Sequence, residues 1–168
     1  MKKKEYLKVV LILPVNVIIT IPLLIILFTR NSYSYDLANS HNFLFYVAMF
    51  FLALGLLLAI WSVRTFYNKG GDGTPGPWQP VSNLVISGPY RYVRNPMIIG
   101  VINLLLFESA LFASIPMLLW AIVFFICNIV YFKNIEEKEL IKRFGAEYED
   151  YKNKVSMLFP KLTPYKKE

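Results

Sequence analysis

The segment Ser87-Gly88-Pro89-Tyr90-Arg91-Tyr92-Val93-Arg94-Asn95-Pro96 sets two guanidiniums in a turn-rich stretch with hydrophobic segments on both sides. A second charged cluster, Ile135-Glu136-Glu137-Lys138-Glu139, follows the last of those segments. Ionisable groups held at a boundary between apolar run and polar loop cost energy and mark a site. Asparagine is a good helix N-cap and proline a good first helical residue, so Asn95-Pro96 predicts a helix start. The positive end of that helix suits an anionic group of a ligand; a plain capped helix explains the same residues. On a helical wheel Leu140, Ile141, Phe144, Tyr148 and Tyr151 share one face, with Glu137 at its centre and Glu136 at its edge. A carboxylate so placed must find a cation, donors or a proton. Arg91, Arg94 or a cationic ligand could answer it, and a structural Glu–Arg pair is the plainer alternative.

The elements that position these residues follow from hydropathy. The chain has 168 residues, of which 56% are hydrophobic, and a mean hydropathy of +0.46. That is the balance of an integral membrane protein. No charge occurs from Val9 to Thr29, from Leu37 to Val63 or from Ser109 to Phe132, and each run reaches the ~20 residues a spanning helix needs. We therefore expect an all-α integral membrane protein with about four transmembrane helices, near 6–28, 42–66, 96–112 and 115–133. Helices 3 and 4 form a tight hairpin turning near Ala113-Ser114, with Pro116 opening the second of them. Pro14 and Pro22 should kink helix 1, with neighbouring helices satisfying the freed carbonyls. A loop over 67–95, whose turns are set by Gly70, Gly71, Gly73, Pro75, Gly76, Pro77 and Pro80, and a C-terminal amphipathic helix near 135–152 lie in the cytosol. The whole of 1–168 is one domain.

The net charge of +7 could suggest nucleic acid, but the basic residues follow the topology. Of the lysines and arginines only Arg30 falls in the outer segment, 29–41, which places both termini in the cytosol. The same residues suit anionic lipid headgroups. The first apolar run is too long for a cleaved secretory signal and has no small-residue cleavage site after it. Cys127 is alone and His41 is the only histidine, so neither a disulfide nor a Cys/His metal site is available. No Gly-rich loop opens a helix after a strand, which removes the P-loop and dinucleotide fingerprints. Mid-membrane polar groups are few, against a transporter or channel. Glu108 should lie near the outer turn in contact with water.

The run Leu84-Val85-x-Ser87-Gly88-Pro89-Tyr90-Arg91-Tyr92-Val93-Arg94-Asn95-Pro96-Met97-x-x-Gly100 resembles the signature of the isoprenylcysteine carboxyl methyltransferase and phospholipid methyltransferase superfamily. Glu136-Glu137-x-x-Leu140-x-x-x-Phe144-Gly145-x-x-Tyr148-x-x-Tyr151-x-x-x-Val155 is similar to its second block. Gly73-Thr74-Pro75-x-Pro77 resembles the prokaryotic branch. The resemblance implies S-adenosylmethionine as cofactor, bound between the first block and the Glu-Glu helix, and a lipophilic or lipid-linked acceptor arriving from the bilayer. It makes Gly88, Pro89, Tyr90 and Arg91 the shapers of the cofactor pocket, with Val93, Pro96 and Gly100 beside them. Asn95, Glu136 and Glu137 would hold the methionine portion, and Arg94 with the two glutamates would serve catalysis. Two departures stand out: Asn95 occupies a position where many relatives have histidine, and Ser156 one where proline is common. Asparagine cannot act as a base near neutral pH, and Glu136 or Tyr148 are the bases the motif leaves. A phospholipid amine or a thiol must lose a proton, so an already ionised prenylcysteine-type carboxylate or an easily ionised thiol is favoured. A nicotinamide-dependent reductase on the same scaffold and a non-enzymatic membrane accessory protein are the competing readings.

Overall fold

The computed structural model describes residues 14–70 and 82–166. The expected helix residues 6–13, the lysines before them and the Gly73-Thr74-Pro75-x-Pro77 block lie outside these. Among the described residues all regular structure is helical.

Helix α1, Ile21–Thr29, continues from a π turn at Asn16–Thr20. In that turn the Ile21 N–H bonds the Asn16 carbonyl, five residues back. Pro22 has no N–H, so the Val17 carbonyl has no donor from its own helix. The indole N–H of Trp120, on a different helix, donates to it at 3.2 Å. The proline's cost is met by a neighbour, as the sequence led us to expect.

Helix α2, Phe43–Lys69, and helix α3, Pro96–Leu111, make the most extensive helix pairing among the described residues. Helix α2 runs three residues further than the expected end at 66. Two glycines set how close the pair comes. A Cβ on Gly100 would stand 3.0 Å from the Ala59 nitrogen, and one on Gly55 would stand 3.1 Å from the Gly100 carbonyl oxygen. Backbone atoms cannot step aside, so both positions require the missing side chain.

A short turn, Phe112 to Ser114, leads into α4, Ile115–Tyr131. Ala113 takes a positive φ of 45° there, and the Ser114 hydroxyl caps α4 by accepting the Met117 N–H. Pro116 is the second helical residue, not the first, because Ser114 is the cap. The Tyr33 hydroxyl spans the turn, donating to the Ala113 carbonyl and accepting from the Ile115 N–H. Glu108 is half-buried, and its Oε2 is buried without a hydrogen bond among the described residues. It is not the solvated carboxylate that the sequence suggested.

The expected tail helix takes a different form. Helix α4 does not stop but passes through a π turn, Phe132–Glu136, into α5, Glu137–Phe144. Gly145, with φ +52°, then breaks the chain before α6, Ala146–Lys154. A side chain is strained in that conformation, so glycine permits the break. The segments 43–69 and 115–144 are each long and apolar enough to cross a membrane, while 16–29 and 96–111 are shorter apolar helices.

Replacing Gly100 with valine forces α2 and α3 apart. We expect a loss of about 1–3 kcal/mol, measured as a lowered melting temperature in detergent; an unchanged melting temperature would contradict the close crossing.

Candidate functional site

The site is assembled where the segment before α3 meets the polar continuation of α4. Gly88–Arg91 forms a single 3-10 turn lying on α2. Gly88 takes φ +56°, and a Cβ there would come 2.6 Å from Thr65 Oγ1 and 3.0 Å from Trp61 Nε1. Pro89, Tyr90 and Val93 are buried, and the Tyr90 ring packs against Phe66. The Tyr90 carbonyl accepts the buried Tyr151 hydroxyl at 2.6 Å.

Arg94 is the centre of the arrangement. Its Nη1 meets Glu137 Oε1 at 2.6 Å, with each side chain only 8% exposed. The same nitrogen donates to the Tyr148 hydroxyl at 3.0 Å, and Nε donates to the Val155 carbonyl at 3.0 Å. The guanidinium carbon sits 5.6 Å from the centre of the Phe132 ring, within the range of a cation–π contact. Its backbone N–H bonds the Ser156 carbonyl, and that of Asn95 bonds the Met157 carbonyl. A proline at 156 would offer the same carbonyl, so this departure from the pattern leaves the contact intact. Glu137 Oε2 takes Lys152 at 2.6 Å, so one carboxylate is shared by two cations. Burial, partly offset by Arg94, pushes the Tyr148 phenol up to about 12.

The two arginines do different work. Arg94 answers Glu137, whereas Arg91 points its Nε at the Tyr165 carbonyl and receives the Tyr165 N–H on its own carbonyl. Asn95 begins α3 but does not cap it with its side chain. The side chain is turned inward: the residue is only 9% exposed, and Nδ2 has no partner among the described residues. Glu136 is half-buried and forms no ion pair among the described residues. Pro96 is buried as the first residue of α3, and Gly100 belongs to the crossing with α2. The described residues contain no cluster of His, Cys, Asp and Glu able to hold a metal ion.

Residues 43–147, more than half of the chain, match the family described as phospholipid methyltransferase. The chain belongs to that family. Methanethiol S-methyltransferase 2 of Bradyrhizobium diazoefficiens is 36% identical over 76 residues, and the methanethiol S-methyltransferase of Pseudomonas deceptionensis is 34% identical over 76. Each alignment covers 44% of this chain and 27% of the relative, so the chain spans about a quarter of the length of the curated relatives it matches. No solved structure matches the chain.

The family match stops at residue 147, yet Tyr148, Lys152, Val155 and Ser156 all reach Arg94 or its partner Glu137. The arrangement around Arg94 therefore leans on a tail beyond the match. Lys152 and Tyr165 were missed by sequence reasoning. The first follows Glu137 by fifteen positions across a break at Gly145, and the second acts through its backbone. Neither leaves a pattern in the sequence.

Breaking the buried pair should be costly and trimming its exposed member should not. We expect Glu137→Ala to destabilise the protein by about 3 kcal/mol. Lys152→Ala, whose side chain is 36% exposed, should lose under about 1 kcal/mol. Thermal melts of the two variants in detergent compare them directly, and equal losses would refute the shared-carboxylate arrangement.

Proposed function

We propose that this protein is an integral membrane methyltransferase that uses S-adenosylmethionine and methylates a lipophilic acceptor at the cytosolic face. Support for the membrane comes from the outward faces of the helices. Leu24, Leu27 and Phe28, then Phe43, Phe50 and Ile60, then Leu119, Val123 and Ile126 are all exposed. Apolar surface that extensive calls for lipid rather than water. Four spans, with 96–133 as a helical hairpin and both termini in the cytosol, agree with the distribution of lysine and arginine.

The observation that carries the functional reading is the pair of unmatched polar groups beside the Arg94–Glu137 bridge. The buried Asn95 amide lacks an acceptor among the described residues, and the first-turn amides of α3 have none within the helix. Together they suit the carboxylate of an amino acid. Glu136 supplies a carboxylate that no cation of the described residues takes up, suited to an ammonium or sulfonium. These are complementary to the methionine end of S-adenosylmethionine. When bound, that cofactor supplies an electrophilic methyl group on a sulfonium. Glu137, shared by two cations, is the positioning residue that holds Arg94 in place, and Arg94 in turn faces the acceptor.

Proton chemistry narrows the acceptor. The Tyr148 phenol sits too high to take a proton near neutrality and Asn95 cannot take one at all, which leaves the half-buried Glu136 carboxylate as the base the site residues offer. An acceptor that ionises unaided needs none of the three. A prenylcysteine-type carboxylate meets this condition, and so does a small thiol, the group named in the curated relatives. We favour the thiol because of those names.

Calorimetric titration of S-adenosylmethionine into detergent-purified protein should show micromolar binding, weakened about tenfold by Asn95→Leu or Glu136→Gln. Folded wild type that binds none overturns the reading in favour of an accessory protein, and binding of a nicotinamide nucleotide instead points to a reductase. With a thiol acceptor, kcat/KM should climb with pH and level off near the thiol's own pKa, about 8.5 for a cysteine-like group. The profile should move when a thiol of different acidity is used. A profile fixed across thiols would assign the proton to the enzyme.

A further inference from the structure

The tail after α6 carries two large apolar side chains that none of the described residues covers. Phe159 is 78% exposed and Leu162 is 99% exposed. They do not hang from a free end. The Phe159 N–H bonds Ser156 Oγ, the Lys161 N–H bonds the Tyr92 carbonyl, and Tyr165 is tied to Arg91 in both directions. The loop between is thus pinned to the site segment at both of its ends, and its apolar tips are held out from it.

Its height relative to the helices follows from the same bonds. Ser156 and Met157 pair with Arg94 and Asn95, immediately before α3 begins at Pro96. The loop therefore lies level with the start of an apolar helix, where hydrocarbon gives way to headgroups. From Tyr151 to Lys166 the charged residues are Lys152, Lys154, Lys161 and Lys166, with no Asp or Glu among them. Of these, Lys152 pairs with Glu137, Lys154 with Asp150, and the Lys161 ammonium donates to the Lys154 carbonyl, while Lys161 and Lys166 are both exposed. Apolar tips between exposed lysines, at the level of a membrane surface, match the chemistry of an anionic bilayer interface.

We propose that Phe159 and Leu162 form a wedge that inserts among the headgroups of anionic lipids and anchors the site segment Arg91–Asn95 to the cytosolic leaflet. This rests on the membrane reading above, and the experiment separates the two.

The full chain with Cys127→Ser is reconstituted into nanodiscs of phosphatidylcholine, with or without phosphatidylglycerol. It carries an environment-sensitive fluorophore on Leu162→Cys or, as a reference on the outer face of α2, on Ile60→Cys. The label at 162 should shift to the blue, lose quenching by iodide and become quenched by a lipid nitroxide placed just below the headgroups. The effect should be larger with phosphatidylglycerol, and Phe159→Asp should diminish it. A label at 162 that stays open to iodide, while the one at 60 is quenched from the bilayer, overturns the wedge and leaves the membrane reading standing. Shielding at 162 without nitroxide quenching means that another copy covers it, and also overturns the wedge. Iodide access at both positions removes the membrane reading together with the proposal. Equal insertion in both kinds of disc overturns the part given to the lysines.

Discussion

A buried guanidinium must have its charge matched and its N–H groups occupied, and Arg94 imposes that demand on three separate stretches of chain. Glu137 supplies the charge, Tyr148 and the Val155 carbonyl accept two further bonds, and Phe132 covers one face. Those partners come from the π turn and first residue of α5 that continue α4, from α6 and from the tail. Because a buried charge left unpaired is far more costly than a pair is stabilising, none of these stretches can move off independently. Tyr148, Tyr151, Val155 and Tyr165 form a small core around this network, with Leu84, Ile86, Leu140, Ile141 and Phe144 packed on it. The polar network and the aromatic core therefore stand or fall together.

Helix irregularities adjust the register between the apolar part and this network. Each residue turns a helix by about 100°, so the extra residue of the π turn at Phe132–Glu136 reorients everything after it relative to α4. Such insertions are frequent at functional sites. The break at Gly145 reorients the chain again, which lets Lys152 return to Glu137. The π turn at Asn16–Thr20 has a different cause, a proline without an N–H, and its orphaned carbonyl is answered by Trp120.

Adjacent carboxylates on a helix point about 100° apart, and here that separates two roles. Glu137 faces inward and is spent on Arg94 and Lys152, while Glu136 has no ion pair among the described residues. A wheel drawn on sequence alone marks Glu137 as the member facing the apolar side. It does not say that protein cations already occupy it. Asn95 gives the converse case: its sequence context predicts an N-cap, but the side chain is buried and its amide has no acceptor among the described residues.

The sequence by itself determined the order of the apolar helices, the start of α3 at Pro96, the turn near Ala113-Ser114 and the two blocks that meet at the site. These are local properties, written in charge-free runs, in cap and proline positions and in the spacing of apolar residues. The partition of the arginines was decided only in three dimensions, Arg94 going to Glu137 and Arg91 to a tail carbonyl. So were the continuity of α4 into α5, the break at Gly145 and the entry of Lys152 and Tyr165. Ion pairs between distant residues and bonds to backbone carbonyls depend on where the chain returns in space, and side-chain identity does not encode that locally. For the same reason the sequence places Glu137 on the apolar face and Glu136 at its edge, and only packing shows that Arg94 and Lys152 take up the first.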